Sequence, residues 1–186
     1  MRRPLKGTHT AMPLNFEFKA RSRHTDALEQ LLIALPARFA GEDHQTDTYF
    51  YVPHGRLKLR EGNIENSLIH YTRSNVAGAK QSRVLLYQHE PHPSLKAVLA
   101  AALGIKVVVE KRRRIYFKDN VKLHFDRVEG LGTFIEVEAI DEDGTIGLQK
   151  LQEQCLFFAA YFGLQPQDYE ARSYSDMLLD SAAAQS

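Results

Sequence analysis

Hydrophobic and charged residues alternate in this chain with a period of two, and the alternation returns along its length. It is cleanest between Val121 and Asp126. Val121, Leu123 and Phe125 fall on one face; Lys122, His124 and Asp126 fall on the other. A period of two is the period of a β-strand, whose successive side chains point to opposite faces. Gly130-Leu131-Gly132 interrupts the run with residues that tolerate a positive φ. The alternation resumes from Thr133 to Ala139, with Phe134, Glu136 and Glu138 opposite Thr133, Ile135 and Val137. The segment is therefore a hairpin with one apolar face and one face of mixed charge.

Other segments repeat the pattern. Leu14 to Ala20 places Leu14, Phe16 and Phe18 opposite Asn15, Glu17 and Lys19. Arg56 to Arg60 places Leu57 and Leu59 opposite Arg56, Lys58 and Arg60. Gln45 to Val52, Ser67 to Arg73 and Gln81 to His89 read as further strands, and Ser74 to Lys80 as a loop. Ile105 to Lys118 is a long, β-branched and basic strand that carries Lys111 and Arg113 on one parity. Arg112 and Arg114, on the other, are expected to face solvent or a helix. Helical stripes lie between the strands. Leu28, Leu31, Leu32 and Leu35 follow a capping Thr25 and stop at Pro36. Leu95, Val98, Leu99 and Leu103 lie on a helix from His92 to Leu103. Ile146 to Phe162 carries Leu151, Cys155 and Phe158, and Tyr174 to Leu179 is a short last helix.

A single such hairpin would be read as a sheet with one face in water. Recurrence changes that reading. About eight strands and three substantial helices suit a closed antiparallel barrel with helices outside, an α+β fold whose interior has room for one small ligand. The domain is expected over residues 13–180, with an extension at 1–12 and a tail at 181–186. At 186 residues, 44% hydrophobic and 25% charged, the chain has the apolar content for one core. Its net charge of +1 gives no general attraction to nucleic acid or membrane. No apolar run is long enough to span a bilayer, and no signal-peptide core precedes the first strand. The single cysteine reads as a buried thiol, and a cytoplasmic protein is expected.

Charges in a closed interior must be paired or must meet a charged ligand, because each costs several kcal/mol to desolvate alone. The expected lining carries more bases than acids, which points to an anion. Carboxylates among the bases point to a divalent ion, since Mg²⁺ takes one or two carboxylates together with phosphate oxygens. The combination describes a metal-bound polyphosphate.

These motifs, in this order, resemble the CYTH superfamily, also called triphosphate tunnel metalloenzymes, which includes class IV adenylyl cyclases and thiamine triphosphatases. The resemblance rests on Asn15-Phe16-Glu17-Phe18-Lys19, Leu57-Lys58-Leu59-Arg60 and Lys111-Arg112-Arg113. It also rests on Asp126, Gly130-Leu131-Gly132 and Glu136-Val137-Glu138. It implies a tunnel that binds a nucleoside or organic triphosphate with Mg²⁺ or Mn²⁺, in a monomer or homodimer. Lys19, Lys58, Arg60, Arg73, Lys80, Lys111, Arg113 and Lys122 would hold phosphates. Glu17, Glu136 and Glu138 would hold metal, and Lys19, His124 and Asp126 are the catalytic candidates. His124 reads chiefly as a charge-pairing lining residue, and Tyr174 as a group able to close one end. The family pattern opens with an acid where this chain has Asn15, which removes one charge from the metal set. A non-catalytic polyphosphate-binding module is therefore the alternative. A third reading, RNA contact through Arg112 to Arg114, is weakened by the near-neutral charge. The remaining histidines, among them His44, His54, His70, His89 and His92, lack zinc-ligand spacing and are expected at the surface or in turns.

Overall fold

Each alternating segment forms a strand, and the strands close on one another. The computed structural model describes residues 14–73 and 80–184, except for the side chains at 73 and 80–83. The strands are β1 (Leu14–Arg21), β2 (Arg38–Phe50), β3 (Arg56–Glu61), β4 (Ser67–Arg73), β5 (Lys80–Gln88), β6 (Ile105–Lys118), β7 (Val121–Val128) and β8 (Gly132–Asp141). They run in the order β1-β5-β4-β3-β2-β6-β7-β8, every neighbouring pair antiparallel, and β8 returns to β1 to close the barrel. The helices are α1 (Thr25–Ile33), α2 (Pro93–Leu103), α3 (Leu148–Tyr161) and α4 (Tyr174–Ala183). The expected α+β barrel with external helices is the fold observed. None of the described helices is long and apolar enough to cross a membrane.

The apolar faces point outward. Phe16, Phe18, Leu123, Phe125, Ile135 and Val137 pack against Leu32 of α1 and Leu151, Cys155, Phe158 and Phe162 of α3. The chain thus buries its main hydrophobic cluster between barrel wall and helices, which leaves the other parity of every strand to line the interior. Cys155 is buried there, its thiol pushed up to about 12 by burial, and its Sγ donates to the Phe16 carbonyl at 3.1 Å.

A second cluster fills one end of the barrel. Tyr49, Ile69, Tyr71, Val109, Val128 and Phe134 meet Tyr174 and Met177 of α4. The Ser173 hydroxyl accepts from the Asp176 amide at 3.1 Å and starts α4 with a capping box. Arg56 of β3 clamps the helix through Asp176 at 2.7 Å. Tyr174, the first residue of α4, lies within this cluster.

Several boundaries differ from the sequence reading. β2 starts at Arg38, ahead of Gln45, because its first residues pair with Arg113 to Phe117 of β6 across a bulge between Phe39 and Gly41. Gly41 has φ 134°, and a Cβ there would lie 2.8 Å from Ile64 Cδ1, so the bulge needs glycine. Such a bulge shifts the alternation and hides the strand. α2 buries none of its residues, and Val98 is 62% exposed, so its apolar stripe does not pack as the others do. Thr25 is the first residue of α1, preceded by His24 with no side-chain cap. α4 runs through Ala183, into the stretch expected as a tail. The expected 1–12 extension and most of the 74–80 loop lie outside the described residues; Lys80 is already the first residue of β5.

Candidate active site

The strand register brings the charged residues together. Glu17 stands opposite Glu138 and Lys19 opposite Glu136 where β1 meets β8. His124 stands opposite Glu136 and Lys122 opposite Glu138 between β7 and β8. Arg113 faces Asp126 between β6 and β7, and Asp47 faces Arg60 between β2 and β3. All of these side chains but Asp126 line an interior cavity of about 920 Å³, together with residues of the β3–β4 and β5–α2 connections such as Ile64, Asn66, His89 and Pro91.

Three carboxylates organise the cations. Asp47 accepts from Lys58 Nζ at 2.9 Å, Arg60 Nε and Nη2 at 2.8 and 3.0 Å, and Lys111 Nζ at 2.6 Å. Asp126 accepts from Arg113 Nε and Nη2 at 2.7 and 2.5 Å and from the Tyr174 hydroxyl at 2.8 Å. Glu65 accepts from Arg60 Nη1 at 2.9 Å and from Lys122. Arg113 also reaches Glu136 at 2.6 Å. Lys19 donates to the Arg172 carbonyl at 2.8 Å, lies 4.1 Å from the centre of the Tyr174 ring and stands 3.7 Å from Glu136. The pairing outweighs burial for Asp47, Glu65 and Glu136, all held below the usual carboxylate range by neighbouring cations. Lys111 goes the other way: burial, helped by Arg60, Arg113 and Lys58, pulls it down to about 7 against Asp47.

Glu65 itself is placed by a buried scaffold. Asp43 accepts from the amides of Asn63, Ile64 and Glu65 at 2.8, 2.9 and 3.0 Å, and from Gln45 Nε2 at 2.7 Å. A Cβ on Gly62 would lie 2.6 Å from the Asp43 carboxylate, so only glycine lets the turn wrap so closely.

Beside this network lies a cluster of another kind. One ligand atom each from His124, Glu136 and Glu138 lie within 4.8 Å of one another. Both ring nitrogens of His124 are buried without a hydrogen bond; Nδ1 stands 3.6 Å from Glu136 and 3.5 Å from Glu138. Burial, then Arg113, pushes this imidazole down to about 3, so it is neutral. Burial, then Glu17, pushes Glu138 up to about 7. An orphaned neutral imidazole beside two crowded carboxylates is a donor set that fits a divalent cation, which would satisfy the nitrogen and relieve the carboxylate repulsion. Asn15 stands at the edge of this cluster. Its Nδ2 donates to Glu17 at 3.3 Å, and its Oδ1 is buried without a partner.

The sequence candidates are therefore placed as follows. Glu17, Lys19, Lys58, Arg60, Lys111, Arg113, Lys122, His124, Glu136 and Glu138 all line the cavity. The side chains of Arg73 and Lys80 lie outside the described residues. Glu17 neighbours the Glu136–Glu138 carboxylates, and His124 sits with them. Asp126, expected to be catalytic, has both carboxylate oxygens engaged by Arg113 and Tyr174, which makes it a positioning group for the guanidinium. His124 is a poor general base, because burial and Arg113 disfavour its protonated form. Arg114 points outward to Asp26 and Glu29 of α1 at 2.8 and 2.9 Å, as its parity required. His89, expected at the surface, lines the cavity. Sequence reading missed Asp47 and Glu65, and with them the charge balance. Among the described side chains the lining holds six carboxylates (Glu17, Asp47, Glu65, Glu90, Glu136, Glu138) and six cations (Lys19, Lys58, Arg60, Lys111, Arg113, Lys122), with Asp126 bonded behind Arg113.

A closed antiparallel barrel with a paired-charge interior and a buried histidine–carboxylate cluster defines a class of charge-lined barrels. Comparison with known proteins narrows it: the CYTH domain family model matches residues 14–174, and the chain belongs to that family. It is 30% identical over 168 residues to the adenylate cyclase CyaB of Aeromonas hydrophila, covering 85% of each chain. Among solved structures it is similar to a putative adenylate cyclase from Vibrio parahaemolyticus, with a TM-score of 0.73 and 22% identity, covering 89% of this chain and 98% of that one. It is also similar to the PH1012 protein of Pyrococcus horikoshii, with a TM-score of 0.71 and 24% identity over 87% and 98% of the two chains.

Proposed function

We propose that this protein is a metal-dependent enzyme that binds a nucleoside or organic triphosphate in its barrel and catalyses phosphoryl transfer or hydrolysis. One observation carries the reading: the His124–Glu136–Glu138 cluster opens onto the same cavity as Lys19, Lys58, Arg60, Lys111, Arg113 and Lys122. Membership of the CYTH family, and likeness to a relative named adenylate cyclase, agree with a triphosphate substrate.

In this reading Arg60, Arg113 and the lysines offer phosphate oxygens charge-assisted hydrogen bonds and neutralise their charge. Asp126 and Tyr174 fix the Arg113 fork before substrate arrives, so little reorganisation is needed as charge develops. Lys19, held over the Tyr174 ring, adds a positive charge beside Glu136. Glu136, Glu138 and His124 would hold Mg²⁺ or Mn²⁺, with Glu17 in support, and the ion would supply Lewis-acid charge to the phosphates. The barrel wall excludes bulk water, which strengthens each of these interactions.

The test is incubation with ATP, thiamine triphosphate and inorganic triphosphate in the presence of Mg²⁺ or Mn²⁺. Phosphate, pyrophosphate and cyclic nucleotide are all measured. Release of phosphate alone identifies a triphosphatase, and cyclic nucleotide with pyrophosphate a cyclase. Absence of turnover in every combination, with binding intact, would leave a polyphosphate-binding module, which the uncharged Asn15 favours.

A further inference from the structure

All six described cations of the cavity have a carboxylate within 4.0 Å: Lys19 has Glu136, Arg113 has Asp126, Lys122 has Glu65, and Lys58, Arg60 and Lys111 share Asp47. The last group is unusual. One carboxylate, 1% exposed, takes hydrogen bonds from three cations on two neighbouring strands. Arg60 gives its Nε–Nη2 fork to Asp47 and one Nη1 hydrogen to Glu65. A phosphoryl group entering here competes with Asp47 for the same three cations.

We propose that Asp47 is a built-in counter-ion that competes with the phosphoryl groups of a polyphosphate for its three cations. The proposal rests on the triphosphate reading above and adds a specificity-determining residue to it. Two consequences follow from charge alone. A highly charged free polyphosphate entering a lining of balanced charge must leave carboxylates repelled and unpaired, so the naked anion binds poorly. The same anion complexed with a divalent ion carries less charge, and its cation meets the carboxylates set free, so the complex binds well. Asp47 thus makes the cavity select for the metal complex rather than for the anion.

The experiment is calorimetric titration of wild type and Asp47→Asn with inorganic tripolyphosphate, once in chelator and once with Mg²⁺. Removing one buried negative charge next to three cations is expected to tighten metal-free binding by about tenfold or more, and to shrink the advantage of the Mg²⁺ complex. Equal or weaker metal-free binding by the variant would show that Asp47 only organises the cations, and would overturn the proposal. Because the variant leaves three buried cations short of a partner, a wild-type measurement stands beside it. The Asp47 carboxyl carbon resonance is followed while tripolyphosphate is added. It moves if the cations leave; a resonance unmoved at saturation also overturns the assignment. If wild type binds neither tripolyphosphate nor its Mg²⁺ complex, the triphosphate reading falls and this proposal with it. If wild type binds and the variant gains nothing, only the role of Asp47 falls.

Discussion

Arg113 and Asp126 face each other across β6 and β7 and meet through two parallel hydrogen bonds of 2.7 and 2.5 Å, both groups almost fully buried. Burial opposes the Arg113 charge, and Asp126 and Glu136 more than restore it. Breaking a buried pair from one side strands the other charge at a cost of about 3–5 kcal/mol. Asp126→Asn is therefore expected to destabilise the protein by roughly that amount, measured by urea denaturation, and to weaken triphosphate binding through a misplaced Arg113. A variant as stable as wild type would remove the anchoring role.

The metal cluster makes a separable prediction. Glu136→Gln, Glu138→Gln and His124→Ala should each weaken divalent-ion binding by more than about tenfold, since even the outer partners of metal ligands are worth about 10–100-fold. Glu17→Gln should do less directly. It removes the strongest charged neighbour that raises Glu138, so the Glu138 pKa should fall from about 7. Calorimetry with Mn²⁺ and carboxyl-carbon NMR check the two parts.

Lys111 gives the pH dependence. In the unliganded protein it is pulled down to about 7, so above that pH it is largely neutral when folded and still charged when unfolded. The folded state then binds fewer protons than the unfolded one, and the lysine's contribution to stability rises as pH climbs from about 7 toward 10. A bound polyphosphate reverses the preference by favouring the ammonium. Binding at pH 8 should therefore take up a proton, and affinity should fall as pH rises above 7. Calorimetry in buffers of differing ionisation enthalpy measures the uptake, and Lys111→Met should abolish it.

Asn15→Glu restores an acid at the first position of the β1 motif. Without metal it adds a third carboxylate beside Glu17 and Glu138, and like charges crowded together destabilise the fold. The melting temperature should fall in chelator, recover with Mn²⁺, and the ion should bind more tightly than to wild type. A melting temperature equally low with and without Mn²⁺ counts against a metal site at this end of β1.

The barrel and much of its lining were legible because β1, β3, β7 and β8 keep strict alternation, and period two fixes which face each side chain takes. Arg114 could be assigned to the outside on parity alone. Asp47 was in principle readable, since Asp43, Gln45, Asp47 and Tyr49 share a parity. The bulge upstream breaks the count, and a strand read only from Gln45 gave no reason to turn its acids inward. Glu65 left no such signal, because it reaches the cavity from a connection whose shape is set by Asp43 and Gly62, both distant from the site in periodicity. The stripe on α2 misled for the opposite reason: helical spacing marks an apolar face but does not supply a surface to cover it.

α4 packs against the barrel where Tyr174, Met177 and Phe134 meet, each no more than 5% exposed. In the polyphosphate reading, a linear polyanion would have to enter and leave by the other end. A long polyphosphate would present one terminus at a time, and the strand distance from opening to floor would act as a ruler for how many phosphoryl groups are read together. Shortened or leaving fragments would have to clear the opening before the next chain entered, so turnover on long chains would be paced by traffic at a single door.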